Sequence, residues 1–415
     1  MTPTRVAIGP ACYYIPPPAR SAAAETPRLL SVLLNDRALS RTLTGVGNYI
    51  AQLLLHLPEH EPDIRVDPFY HARVLRRDWR RGLAPSEQPS AGAPPQHPRD
   101  ISASRYPWWL RRLLQQSYAA LFRWSARRYR LYHEPNHIPI RCDLPTVTTI
   151  HDLSGLTHPQ WHPADRVRWY EREFRAGLRR SRRFIAASEF TRQEMVTRLG
   201  VRADHVFVTY QAPRAAFRPV DHATLSAARA ALTLPERFFL YVGTLEPRKN
   251  VPGLLEAYAA LPPHVRREHP LLVVGAWGWK QQALREKLER HRLGNQVRLL
   301  GYLHDPSLAC LYSLCTALVW PTWFEGFGLP PLEAMACGAP VVTSAATSLP
   351  EVVGEAGMLL DPHDTAAWTS AMRRLADDPD LRAELGRRGL VRASAFTWER
   401  FCRSTAAAYR STLDS

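Results

Sequence analysis

Short apolar runs, each followed by a glycine-rich or polar stretch, set the rhythm of this chain. In the first half they fall at Leu29–Leu34, Thr146–Ile150, Phe184–Ala187 and His205–Tyr210. In the second half they fall at Phe238–Val242, Leu271–Val274, Val297–Leu300, Ala317–Trp320 and Pro340–Thr343. Compact runs of this length suit strands buried on both faces. Helical patterns separate them, and strands alternating with helices predict parallel sheets. The first run leads into Thr44-Gly-Val-Gly-Asn-Tyr and a helical Ile50–Leu57, the strand, glycine loop and helix that open a doubly wound sheet.

The length of 415 residues exceeds one ordinary core and calls for two domains. The expected division is an irregular arm rich in Pro and Ala at 1–27, a first α/β domain at 28–213 and a linker at 214–235. A second α/β domain follows at 236–395, then a final helix at 396–415 behind a Thr397 cap. Residues 82–105, rich in Pro, Ser, Ala and Gly, read as a loop or insertion. In the segment Trp108–Trp124, Leu110, Leu113, Leu114, Ser117 and Leu121 share one helical face, with arginines beside it. That pattern fits a core-facing helix with a solvated basic side, or a basic helix lying on a membrane.

The formal net charge is +16, and only Lys249, Lys280 and Lys287 interrupt the arginines. A basic excess attracts anionic partners: nucleic acid, an anionic membrane surface or a phosphorylated substrate. The arginines are dispersed, and no nucleic-acid recognition motif accompanies them. No apolar run approaches the ~20 residues that span a bilayer. The N-terminus lacks a basic-then-apolar leader pattern, so a cytoplasmic location is expected. Cys12, Cys142, Cys310, Cys315, Cys337 and Cys402 form no C-x-x-C pair and read as small core residues.

Two glutamates carry the chemistry. Glu325 follows the run ending at Trp320 and sits in a Gly-rich loop; Glu333 lies eight positions on, expected in the first turn of a helix opening near Pro331. Loop and helix-start N–H groups converging there suit an anion. A carboxylate at each edge suits hydroxyls. Arg248 and Lys249 follow another strand and Gly243, at the strand edge where α/β sheets bind ligands. Two fixed cations there can neutralise a leaving diphosphate without a metal, and no D-x-D pair stands at a strand end to hold one. Gly45 and Gly47 allow a tight turn and close backbone approach to phosphate. His151 ends the strand Thr146–Ile150 beside Asp152, and His133 closes the short run before Glu134. A lone histidine is more often structural than catalytic, yet a strand end in a cleft is where a functional one would stand.

Glu325-Gly-Phe-Gly-Leu-Pro followed by Glu333-Ala-Met-Ala-Cys-Gly-Ala-Pro-Val-Val resembles the nucleotide-sugar signature of retaining GT-B glycosyltransferases of family 4. Gly243 with Arg248-Lys-Asn, the Gly45/Gly47 loop and Ser188-Glu-Phe-Thr are similar to further signatures of that family. The resemblance runs from about residue 29 to the C-terminus. It implies two Rossmann-like doubly wound domains facing across a cleft, with the last helix returning to the first. It implies that Glu333 binds the donor ribose and that Arg248 and Lys249 hold the diphosphate. Glu325, with the amides of Gly326, Phe327, Gly328 and Leu329, would meet the donor sugar, and Gly45 and Gly47 its phosphate. His151 would approach the donor sugar, while His133 and Asn48 would lie on the acceptor side. Asn48 stands where many relatives carry arginine, and Gln211-Ala-Pro replaces the usual Asn-Gly pair. The branch resembled is that of bacterial mannosyltransferases using GDP-mannose in cell-surface polysaccharide synthesis. The implied partners are that nucleotide sugar and a glycan or lipid-linked acceptor, at or near an anionic membrane, with no nucleic acid. No cofactor or metal is implied. The alternatives are a catalytically silent partner subunit of the same fold and a basic nucleic-acid-binding protein.

Overall fold

The computed structural model describes residues 29–39, 45–70, 108–280 and 282–414, with backbone alone for 108–115. The expected arm at 1–27 and insertion at 82–105 lie outside these residues. Two fully parallel sheets organise the rest. The first comprises β1 (Leu30–Leu34), β2 (Ile64–Pro68), β3 (Leu131–Glu134), β4 (Thr146–Ile150), β5 (Arg183–Ala186) and β6 (Val206–Val208), in the order β2-β1-β3-β4-β5-β6. The second comprises β7 (Phe239–Val242), β8 (Leu271–Val274), β9 (Val297–Gly301), β10 (Ala317–Trp320), β11 (Val341–Ser344) and β12 (Met358–Leu360), in the order β12-β11-β10-β7-β8-β9. β2 and β12 add to the strands read from the sequence. Both are edge strands and only partly buried; charged residues interrupt β2, and β12 is only three residues long. The inner strands β7, β8 and β10 are buried throughout, because helices cover both faces.

The winding of the second sheet reverses between β7 and β10, which are neighbours although β8 and β9 lie between them in sequence. A crevice opens outside the C-terminal ends of the strands at such a reversal. Arg248 and Lys249 follow β7, and Glu325 follows β10, so the fold brings both to this crevice.

Residues 214–235 are more than a connector. They carry the helix His222–Ala231, and Phe217 and Leu234 lie in the core of the second sheet. The last helix, Trp398–Leu413, crosses back. Thr397 caps it by accepting the Arg400 N–H, and Phe401, Cys402, Ala406 and Tyr409 pack with Leu30, Val32, Ile50 and Leu53 beside the first sheet. The helix Trp108–Ala126 is present, and of its expected inward face only Ser117 and Leu121 have described side chains. Phe122 and Ala126 pack on Phe69 and Tyr132, whereas Ser117 and Leu121 are exposed. The rings of Phe122, Phe69 and Tyr132 interlock edge to face, and that fixes the rotation of the helix. Cys310, Cys315, Cys337 and Cys402 are buried thiols and Cys142 is half-buried, all unpaired. No helix among the described residues is long and apolar enough to cross a membrane.

Candidate active site

After β7 the chain makes a single turn, Pro247–Lys249, and then Asn250 adopts a left-handed conformation at φ 51°. Asparagine tolerates that region, and its side chain accepts the Gly253 N–H to cap the helix Val251–Ala259. This capped corner fixes the two preceding cations. Lys249 Nζ lies 2.5 Å from Glu325 Oε1 and 4.7 Å from the centre of the Trp320 ring. Arg248 donates to Glu325 Oε2 at 3.0 Å, to the Phe324 carbonyl at 3.0 Å and to Glu246 at 2.6 Å.

The Glu325 loop is pinned from β11. Thr347 Oγ1 accepts the Glu325 N–H at 3.1 Å. Ser348 Oγ bonds the carbonyls of Glu325 and Phe327 at 3.0 and 2.8 Å. Thr322 donates to Glu325 Oε1 at 2.9 Å. Gly328 takes φ 112°, a backbone that admits little but glycine, and starts the helix Leu329–Ala336. The amides of Gly326, Phe327, Gly328 and Leu329 meet no acceptor among the described residues. Phe327 is buried and Leu329 half-buried.

Burial alone would raise the Glu325 carboxyl, but Arg248 and Lys249 outweigh it and hold the group below its usual range. Burial pushes the Lys249 ammonium down, and neighbouring Arg248 adds to this. Asp152, from the first domain, is likewise held low; Arg248 and His137 overcome its burial. Arg248 therefore stands among Glu325, Glu246 and Asp152. Three carboxylates around two cations make this a compensated cluster and not the positive pocket expected from the sequence. The cations are present, but they already have partners.

Glu333 lies past the first turn, because the helix begins at Leu329 instead of Pro331. Its side chain does not join the Lys249 cluster. It pairs with Arg214 Nη2 at 3.0 Å and accepts from Tyr312 Oη at 3.4 Å. Arg214 also forks onto Asp305 at 2.7 and 3.1 Å. Burial pushes the Glu333 carboxyl up to about 7 against the pull of Arg214. The sequence reading missed Arg214, Asp305 and Tyr312. The signal for Arg214 was close at hand: it directly follows the unusual Gln211-Ala-Pro stretch.

Across the cleft, His151 stands at the end of β4, and its Nε2–H donates to the Pro135 carbonyl at 2.8 Å. Its backbone carbonyl touches the donor-side loop so closely that a Cβ on Gly326 would lie 1.7 Å from it. His151 therefore meets the Glu325 loop through its main chain. His133 belongs to the core. It is fully buried, bonded to Tyr409 Oη at 2.8 Å and Thr149 Oγ1 at 2.8 Å, and burial lowers its pKa to about 3. It offers no surface to an acceptor. Gly45 and Gly47 lie in the first turn of the helix Gly45–His60 with no positive φ, and the segment before them lies outside the described residues. Space is open in front of Gly45, and Asn48 is half-buried in the same first turn. Tyr49, next along that helix, packs edge-on against His151 with ring centres 5.1 Å apart. A further buried acid, Glu134, ends β3; burial pushes it up to about 7 while Asn35, Tyr132 and the Asn136 N–H bond it. Among the described residues, the group close enough to share a metal ion is His56, Glu59 and His60, in the last turns of the helix Gly45–His60.

Two parallel, doubly wound sheets facing one another, with a charged crevice at the reversal of the second, are the arrangement of the GT-B fold. Family comparison agrees: the model for glycosyl transferases group 1 matches residues 226–391, and that for glycosyltransferase family 4 matches residues 43–212. The chain is 34% identical over 391 residues to O-antigen chain mannosyltransferase B of Escherichia coli, covering 92% of this chain and all of that one. Among solved structures it is similar to sucrose-phosphate synthase from Thermosynechococcus elongatus, with a TM-score of 0.68, 23% identity and coverage of 92% and 99% of the two chains. It also resembles Anabaena HepE in complex with UDP and glucose, with a TM-score of 0.68, 19% identity and coverage of 92% and 100%. The chain belongs to glycosyltransferase family 4.

Proposed function

We propose that this enzyme transfers mannose from GDP-mannose to a hydroxyl of a growing cell-surface polysaccharide, with retention of anomeric configuration. The observation that carries the reading is the meeting of Arg248, Lys249 and Glu325 at the sheet reversal, opposite His151 and Asp152. The full-length likeness to an O-antigen chain mannosyltransferase supports the choice of sugar.

In this reading the donor diphosphate takes Glu325's place as the partner of Arg248 and Lys249. Fixed cations stabilise charge on the leaving group without reorganising, so no divalent ion is needed. The amides of Gly326 to Leu329 and the released Glu325 carboxylate hold the donor sugar. Glu333 accepts from the ribose hydroxyls while Arg214 holds it in place. The start of the helix Gly45–His60, at Gly45 and Gly47, adds a positive dipole end on the facing side, with Asn48 toward the acceptor. His151 shapes the sugar pocket through its main chain. The acceptor hydroxyl attacks the anomeric carbon from the side of the departing phosphate, which takes the proton. The charged cluster also argues against a silent subunit, which would have no use for buried, mutually neutralised ions at this crevice.

An anionic membrane surface is the proposed workplace. On the helix Trp108–Ala126, Leu121 and Trp124 are 38% and 52% exposed, and Arg128 lies 4.9 Å over the Trp124 ring. Exposed apolar groups among arginines suit an anionic interface. Salt-sensitive sedimentation with anionic liposomes tests this; no sedimentation at low salt would remove it.

The decisive experiment is turnover of GDP-mannose and UDP-glucose in excess EDTA, with the product's anomeric configuration read by NMR. GDP-mannose is expected to be used with retention. Exclusive use of UDP-glucose, an inverted product or abolition by EDTA would each overturn its part of the reading.

A further inference from the structure

Beside the Glu325 loop lies a second cleft that the donor chemistry does not use. Its volume is about 740 Å³, and its walls come from both halves of the molecule: His158 and Trp161 from the first, Trp323, Ala345, Asp361 and His363 from the second. The size falls in the range of small-molecule sites, roughly 300–1,000 Å³. We propose that this cleft is a subsite for the acceptor glycan, in which pyranose rings lie against Trp161 and Trp323.

The lining selects the class of ligand. Among the described residues neither arginine nor lysine lines the cleft, so they give a second phosphate or nucleotide no counter-charge there. Aromatic side chains supply flat apolar surfaces, and Asp361 and His363 supply hydrogen-bonding groups at the margin. A pyranose matches that mixture, because it presents a face of C–H bonds and a rim of hydroxyls.

The walls are stiff. The His158 ring stacks on Trp161 at 4.1 Å with an interplanar angle of 5°, and His363 lies 4.3 Å from Trp323. The turn carrying Trp161 is tied to the other half. Trp279 donates to the Trp161 carbonyl at 2.6 Å, and Lys280 donates to the Gln160 carbonyl at 2.5 Å. The cleft is thus assembled where the two domains meet.

Its position suits an acceptor. The Trp323 N–H donates to the Arg248 carbonyl at 2.8 Å, and Phe324, the next residue, lies 5.2 Å from His158. Trp323 is two residues from Glu325, a span of at most about 7 Å of chain. A sugar against Trp323 therefore lies one ring away from the place where transfer occurs. Naming the ligand as an acceptor chain rests on the glycan-elongating reading above; locating the cleft does not.

The test is a titration of the full chain with α-linked mannotetraose and with methyl α-mannoside, read by calorimetry and tryptophan fluorescence with and without GDP. The wild type is expected to bind mannotetraose more tightly than the monosaccharide. Trp161→Ala and Trp323→Ala should each weaken mannotetraose binding at least tenfold and raise acceptor KM to match, leaving GDP affinity and donor KM within twofold. Should either variant fail to fold, His363→Ala changes an exposed side chain of the same wall and should weaken binding several-fold. Unchanged glycan affinity in folded variants overturns the proposal, as does a wild type that binds neither sugar. A wild type inert toward GDP-mannose but binding mannotetraose through Trp161 would unseat the donor and leave the subsite standing.

Discussion

Glu351 Oε1 accepts the backbone N–H of Phe190 at 2.9 Å, across the boundary between the two sheets. Its other oxygen accepts the Glu189 N–H at 2.9 Å and the Tyr210 hydroxyl at 2.7 Å. A carboxylate of the second domain thereby caps the helix Glu189–Leu199 of the first, alongside that helix's own Ser188 cap. Capping groups contribute about 1 kcal/mol each. Here the contribution falls on the contact between domains. Glu351→Ala should therefore open the molecule more than it unfolds it: a larger radius of gyration by small-angle scattering without ligand, kcat down several-fold and a melting temperature lowered by a few degrees. An unchanged radius together with unchanged kcat would show that the contact does not hold the halves together.

Glu325 competes with the donor for Arg248 and Lys249. Removing its charge should therefore separate binding from chemistry. Glu325→Gln is expected to bind GDP more tightly than wild type, because the two cations lose their resident partner. Transfer should nevertheless fall by about 10²-fold or more, because the sugar loses a fixed carboxylate. Calorimetry with GDP and single-turnover transfer read the two effects separately. Weaker GDP binding in this variant would mean that the carboxylate supports the diphosphate site instead of competing with it.

Lys249→Ala leaves Arg248 to balance Glu325 alone. Loss of a preorganised charge facing the leaving group should lower transfer by ~10²–10³, or about 3–4 kcal/mol. GDP affinity should fall in the same variant. Transfer close to wild type would remove Lys249 from the reaction.

Gly326 packs against the facing domain with no room for a side chain. A Cβ there would lie 1.7 Å from the His151 carbonyl oxygen and 2.7 Å from its carbon. Backbone cannot swing aside as a side chain can, so Gly326→Ala should force the cleft apart. The expected result is loss of transfer with each domain still folded, seen as retained protection of core amides of both sheets in hydrogen exchange. Normal activity would imply that the cleft works in a more open arrangement.

The two-sheet architecture was legible because parallel strands buried on both faces leave continuous apolar runs, as at Leu271–Val274 and Ala317–Trp320. The edge strands β2 and β12 were not: partial burial admits Arg65 and Asp67 into β2, and β12 has only three residues. In the site, the closeness of Arg248, Lys249 and Glu325 followed from strand ends and glycines. Their mutual neutralisation did not, because local sequence gives no sign of which charges meet across a fold. Arg214 reaches Glu333 over a long sequence separation, and Glu351 reaches Phe190 over a longer one. His133 shows the converse: a polar residue at a strand end resembled a cleft residue until Tyr409, from the far end of the chain, covered it.

Glu333 has a folded pKa of about 7, against its usual 4.5. A carboxyl that holds its proton more tightly in the folded state stabilises the protein at low pH. That contribution is lost as pH rises from about 4.5 through 7. Wild-type melting temperature should therefore fall across this window relative to Glu333→Gln, which has nothing to ionise. Nucleotide binding should run the other way. The ionised carboxylate is the stronger acceptor for ribose hydroxyls, so GDP affinity in wild type should rise between about pH 6 and 8. The glutamine variant keeps the titration of GDP and of the remaining groups, Glu134 among them, and the difference between the two profiles isolates Glu333. Superimposable profiles in both measurements would place the titrating proton elsewhere and detach Glu333 from the ribose.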